Sequence, residues 1–223
     1  MRPSLGYFFD DYSVGQRFEH ATPRTITGGD AALYIALTGA RHAPHCATTV
    51  AQALGHNTSP IDDLLVFHIA FGKTVPDISY NAVANLGYAD CRFLKPVFIG
   101  DTLRTETEII GLKDNSSGKT GVVYVRSECF NQHGEMVLTW IRWVMVHRLN
   151  AATTPRTMTL GVIEATPHVP PEAIVTPAYL KPIAGMTLAT GGTRFWEDYA
   201  AANAEELGKP QSENASWQFE PIK

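Results

Sequence analysis

The chain has 223 residues, 44% apolar, 10% aromatic and 18% charged, enough to bury the core of one large domain or two small ones and too apolar for extensive disorder. Eighteen Lys and Arg against 22 Asp and Glu leave a formal charge of -4, which supplies no electrostatic footprint for a polyphosphate backbone and excludes nucleic acid as the expected partner. No apolar run approaches the ~18 residues of a membrane-spanning helix, and the N-terminal stretch meets Asp10 and Asp11 before any signal-type run develops, so the expected setting is cytoplasmic with no membrane partner.

In chain order, Thr27-Gly28-Gly29-Asp30 opens a helix over 31–37, and Ser59-Pro60-Ile61-Asp62 opens a second from Asp63 to about Gly72. Both starts match a Ser/Thr-x-x-acid capping pattern, the second with Pro at the first helical position. Leu64 to Phe71 is apolar on nearly every face, which predicts a helix enclosed by other structure, with His68 as a hydrogen-bonded core residue. Strands follow over 102–110, 122–130 and 137–147; in the second, Val123, Val125, Ser127 and Cys129 alternate against Val122, Tyr124, Arg126 and Glu128. Asp114 to Gly118 and Asn131 to Gly134 supply residues that hairpin turns tolerate, so the three strands form an antiparallel meander. The aromatics Tyr124, Phe130, Trp140 and Trp143 lie on these strands and read as core. A buried helix followed by long antiparallel strands is the order of the hotdog fold: an α+β class, with a curved antiparallel sheet wrapped around a long central helix. This domain is expected over 6–148. Near Arg148 the periodic signal gives way to a Pro-rich stretch over 149–192, which reads as a linker. Three cysteines, Cys46, Cys91 and Cys129, are an odd number without paired spacing and predict neither a disulfide framework nor a cysteine zinc site.

Phe8-Phe9-Asp10-Asp11-Tyr12-Ser13-Val14-Gly15, Pro23-Arg24-Thr25-Ile26-Thr27 with Asp30, Leu37-Thr38-Gly39, and Arg92-Phe93-Leu94-Lys95-Pro96-Val97 running on through Gly100-Asp101-Thr102-Leu103 together resemble the MaoC-like hydratase/dehydratase family. The runs from Ile61 to His68, Gly72 to Ser79 and Asn85 to Phe93 are more specific and resemble its mesaconyl-CoA hydratase branch. The resemblance implies reversible addition of water across a double bond conjugated to an acyl-CoA thioester, here a branched C5 dicarboxylic acyl group. That chemistry needs a base for water, an acid for the carbon next to the thioester, and donors for the developing enolate oxygen. It needs no cofactor, coenzyme A being part of the substrate, and no metal is expected; the His42, His45 and Cys46 group lacks a fourth ligand at recognisable spacing.

In this family an Asp-x4-His pair after the Leu-Thr-Gly element generally supplies acid and base, and backbone N–H groups at the start of the central helix hold the enolate. Here the stretch is Thr38-Gly39-Ala40-Arg41-His42-Ala43-Pro44-His45, so His45 matches but Ala40 stands in the place of the Asp. His45 is therefore the candidate catalytic residue, with a loop histidine of no function as the competing reading. Asp62 and Asp63 stand where the helix donors are expected and are candidates for substrate contact, while Asp62 reads first as a helix cap and a first-turn acid explains Asp63 equally well. Arg41 and Arg92 are candidates for a substrate carboxylate, with surface ion pairs as the alternative.

Phe8-Phe9-Asp10-Asp11-Tyr12 recurs as Phe195-Trp196-Glu197-Asp198-Tyr199, so residues 193–223 are expected to be the truncated start of a second hotdog, or an irregular tail. The half lacking the motif Asp is then the natural non-catalytic one. Three activities stay open at this point: a MaoC-like hydratase, a non-catalytic acyl-CoA-binding half, and a hotdog thioesterase. A lone hotdog leaves an open sheet edge, which predicts a homodimer.

Overall fold

Strict alternation dictates the sheet. In the computed structural model, which describes residues 6–150, Val123, Val125, Ser127 and Cys129 are fully buried on one face of β5 (Thr120–Phe130). β5 pairs antiparallel with β4 (Thr102–Asp114) on one side and β6 (Met136–His147) on the other, in registers such as Thr107 with Ser127 and Ser127 with Trp140. The turns between them place Gly118 at φ +67° and Gly134 at φ +76°, left-handed conformations in which a Cβ is strained. The meander predicted from sequence is thus present, with each strand extending one to four residues beyond its periodic stretch.

Three further strands complete the sheet. β1 (Arg17–Glu19) and the two-residue β2 (Arg24–Thr25) pair with β4, and β3 (Ala82–Phe93) pairs with β6, giving the order β1-β4-β5-β6-β3. β3 is irregular, with three shifts of register and Asp90 at φ +48°. Among the described residues its other edge pairs with nothing.

Among the described residues four α-helices precede or cross the sheet: α1 (Gly28–Thr38), α2 (Ala43–Cys46), α3 (Thr48–Ala53) and the central α4 (Asp63–Thr74). The Thr27 hydroxyl accepts from Asp30 N–H and the Asp30 carboxylate accepts from Thr27 N–H, the reciprocal cap read from the sequence. α4 begins at Asp63 with Asp62 as its N-cap, the cap reading of that residue, its Oδ1 accepting from Leu64 N–H at 2.9 Å; Ser59 does not cap the helix and Pro60 lies outside it, contrary to the capping pattern read from Ser59 to Asp62. The bond from Ile61 N–H to Val97 O, 2.7 Å, holds the preceding segment extended and delays the first turn.

α4 buries Leu65, Val66, Ile69 and Ala70 against Leu103, Cys129, Leu138 and Trp140 of the sheet, each large side chain contributing roughly 1.5–3 kcal/mol. The helix is not enclosed all round by the described residues: Leu64 and His68 are exposed, and His68 makes ring contacts with Tyr34 and Phe67 instead of joining the core. The reason is geometric, since one sheet covers one stripe of a helix and leaves the opposite stripe open. Of the strand aromatics, Trp140 is core, whereas Tyr124 and Trp143 stack at 6.3 Å and are half-buried.

A polar cluster lies beneath the C-terminal end of α4. Arg142, fully buried on β6, donates to Thr74 Oγ1 at 2.9 Å and sits 4.5 Å from the Phe71 ring centre, placing a cation where the last carbonyls of the helix point. Burial pushes its guanidinium down to about 10. Nearby, buried His20 donates through Nδ1 to Asp77 and accepts through Nε2 from Thr107, both at 2.7 Å; burial lowers its proton affinity and keeps the ring neutral. The residues after 150, which include most of the expected linker and all of the expected second start, lie outside the described residues.

Candidate active site

The start of α4 meets the α1–α3 region at a cleft. Ala31, Tyr34 and Ile35 line it from one face of α1, His45 from α2, Pro60 and Asp62 from the segment entering α4, and Ile99 from the loop before β4. The spacing 31, 34, 35 is one helical face, set by the Thr27–Asp30 cap that fixes where α1 begins. The cleft is small, about 50 Å3, enough for water and the reacting end of a ligand.

His45 is half-buried here and its ring has a defined tautomer. Nδ1 lies 3.1 Å from Pro60 O; a carbonyl only accepts, so Nδ1 carries the hydrogen and, in the neutral ring, Nε2 is the nitrogen with the lone pair. The His42 ring lies 5.1 Å away, centre to centre. The first-turn Asp63 is half-buried, and its carboxyl holds its proton above the usual carboxylate range because burial outweighs the fields of His45 and His42. Tyr34 is likewise pushed up, by burial and then by the Asp62 carboxylate. The cleft thus contains an imidazole held by Pro60 O, and the carboxyl of Asp63, one residue beyond the lining, retains its proton more readily than usual; a base and an acid are the two functions that acid–base chemistry needs.

The structure brings His45 and Asp62 together at this cleft, with Asp63 next along the chain. Asp62 is held as the α4 cap, and its carboxylate occupies Leu64 N–H, one of the donors that the helix start would otherwise offer. Ala40 carries no acid group, and its N–H donates to Thr38 Oγ1. Arg41 is exposed and, among the described residues, has no hydrogen-bond or ion-pair partner; it does not line the cleft. Arg92 is exposed on β3 and closes a local ion pair with Asp90, 2.6 Å, also away from the lining. Cys46 donates through Sγ to Ala40 O at 3.4 Å. Tyr34 is the site residue that sequence reasoning missed, although its 31, 34, 35 face was readable once the cap at Thr27 was placed.

Comparisons with known proteins identify the family. The model of the MaoC like domain matches residues 11–129, just over half of the chain. The chain belongs to the MaoC-like family. It is 49% identical over 204 residues to a mesaconyl-CoA hydratase of Cereibacter sphaeroides, covering 90% of this chain and 58% of that one. It is 52% identical over 196 residues to a beta-methylmalyl-CoA dehydratase of Chloroflexus aurantiacus, covering 87% and 54%. This MaoC-like chain therefore spans a little over half the length of the curated relatives it matches. Among solved structures, a MaoC domain dehydratase from Chloroflexus aurantiacus superposes with a TM-score of 0.75 at 48% identity over 89% of this chain and 56% of that one. A Mycobacterium tuberculosis protein described as a double hotdog gives 0.63 at 28% identity over 75% and 54%. The sheet order and the central helix of this chain display the same α+β hotdog architecture.

Proposed function

We propose that this MaoC-like unit acts in the reversible hydration of an unsaturated acyl-CoA, with mesaconyl-CoA and β-methylmalyl-CoA as its substrate pair. One observation carries the reading: His45 presents a free Nε2 in a cleft at the start of the central helix, its tautomer fixed by Pro60 O. In the hydration direction Nε2 takes a proton from water, hydroxide adds to the carbon remote from the thioester, and the electron pair moves onto the thioester oxygen as an enolate. The carbon next to the thioester then takes a proton from Asp63, whose raised proton affinity suits that task. The names of the relatives and the match over residues 11–129 support the substrate class. The test is incubation of the full chain with mesaconyl-CoA in oxygen-18 water. One labelled oxygen in the acyl product supports the proposal; release of free CoA thiol instead points to hydrolysis.

A second reading is favoured by two particular features: Ala40 in place of the motif acid, and Asp62 occupying Leu64 N–H where an enolate would need a donor. It makes the unit an acyl-CoA-binding half without its own turnover. Binding of mesaconyl-CoA with no labelled product distinguishes it.

The partner proposed for either reading is a second hotdog unit, in the simplest case another copy of this chain, laid along the open edge of β3. That edge exposes Val83, Leu86, Tyr88 and Phe93. Light scattering of the purified chain at twice the monomer mass agrees; a monomer at all concentrations rejects the pairing.

A further inference from the structure

The proposed substrate carries a free carboxylate bonded to the very carbon that receives hydroxide. Water held by His45 at about 3 Å, and attack over about 3 Å more, puts that carbon within roughly 6 Å of Nε2 and the carboxylate one bond further. A group that binds the carboxylate therefore stands among the nearest neighbours of His45. The cleft wall supplies no cation for it: among the described residues the lining holds no Lys or Arg, and it presents the Asp62 carboxylate, which repels a second anion. Arg92 is taken up by Asp90, and Arg41 lies outside the lining. His42 is placed differently. Its ring lies 5.1 Å from the His45 ring, centre to centre, and the two planes meet at 53°. The Asp63 carboxyl feels the fields of both rings, so the proposed base, the proposed acid and His42 gather at one place. One backbone bond, His45 N–H to His42 O at 3.0 Å, fixes the spacing of the two histidines, while Pro60 O fixes the His45 ring. The His42 side chain is exposed and makes no hydrogen bond among the described residues, and an imidazole has at least one N–H to donate in either protonation state.

We propose that His42 binds the free carboxylate of the substrate, donating a ring N–H to it from beside His45, and so selects dicarboxylic acyl groups over plain branched ones. This rests on the thioester reading of the His45 cleft. The Asp62 carboxylate turns the substrate anion away from the start of α4, and the unpaired His42 ring receives it on the other side of His45. Because the carboxylate is bonded to the attacked carbon, holding it also holds that carbon against the water on Nε2. A hydrogen bond to a charged acceptor is among the stronger ones, and a site that offers a donor discriminates against an analogue with a methyl group in place of the acceptor.

The test uses two saturated, unreactive CoA esters on the full chain: methylsuccinyl-CoA, which has the carboxylate, and 2-methylbutyryl-CoA, which has a methyl group in its place. Titration calorimetry of the unsubstituted chain is expected to show methylsuccinyl-CoA bound about tenfold more tightly, the size of one hydrogen bond to a charged acceptor. His42→Phe keeps a ring beside His45 and deletes the N–H; it should abolish most of that preference and leave the affinity for 2-methylbutyryl-CoA as it was. His42→Gln, which keeps a donor, should retain the preference. An undiminished preference in His42→Phe overturns the proposal and leaves the thioester reading intact. Loss of the preference in Arg41→Gln with none in His42→Phe assigns the carboxylate to the arginine and also overturns it. Equal binding of both esters by the unsubstituted chain overturns the carboxylate site alone. Failure of both to bind overturns the thioester reading, and the carboxylate site with it.

Discussion

Arg142 offers a quantitative test of how the core is held. Its guanidinium is fully buried and, among the described residues, faces no carboxylate. Its fall from the ordinary arginine range to about 10 corresponds to roughly 3 kcal/mol against the charged form in the folded state. Two contacts work the other way: the charge-assisted hydrogen bond to Thr74, worth about 1.5–3 kcal/mol, and the Phe71 ring contact, worth up to about 2 kcal/mol when desolvated. These nearly cancel. Arg142→Met, which removes the charge but fills most of the space, should therefore change stability by no more than about 1.5 kcal/mol. Thr74 is not orphaned by the change, because its hydroxyl donates to Phe71 O at 2.8 Å, and Asn85, whose Oδ1 lies 3.5 Å from Arg142 Nη1, is exposed to water. Arg142→Ala removes the volume as well and should cost about 2–5 kcal/mol. Urea midpoints at constant slope measure both. A Met variant as unstable as the Ala variant would show that the charge itself holds the end of α4, contrary to this balance.

Three further outcomes follow from particular contacts. Asp62→Ala should lower stability by about 1 kcal/mol through loss of the α4 cap, while Asp62→Asn retains it; parallel thermal melts decide this. Gly121→Ala should cost about 1–3 kcal/mol by overpacking, since a methyl there would overlap the buried Phe9 ring, and a urea midpoint equal to that of the unsubstituted chain would refute the close approach. His20 is held neutral by burial, so its folded-state proton affinity lies below its unfolded one; stability is complete above pH ~6.5 and is lost as pH falls from there through the folded value. His20→Gln should flatten that part of a pH series of urea midpoints.

The sheet was legible in the sequence where one face is buried. The alternation from Val122 to Phe130 and the glycines of the two turns fix β4, β5 and β6. β1 and β2, at three and two residues, are too short for any period to register, and they exist because β4 offers a partner. The α1 cap was legible because Thr27 and Asp30 need nothing beyond each other. Asp62 was readable as the α4 cap, whereas the competing start at Ser59 and Pro60 could not be dismissed locally, because Ile61 is claimed by Val97, a contact 36 positions away that no local pattern reveals. His45 could be found through its motif spacing, yet its tautomer depends on Pro60 O, which only the folded chain brings near. Asp63 was visible as a first-turn acid, whereas its raised proton affinity comes from burial and so from the tertiary structure.

The central claim is that His45 Nε2 is the base. The most direct measurement is the rate at which the conjugated-thioester absorbance of mesaconyl-CoA decays with the full chain and with its His45→Asn variant. Asn keeps an N–H near the position of Nδ1, able to donate to Pro60 O, and deletes Nε2. The expected result is an unchanged melting temperature with turnover reduced at least about 100-fold, the usual contribution of a positioned base. A folded His45→Asn chain that hydrates mesaconyl-CoA at the rate of the unsubstituted chain would contradict the account.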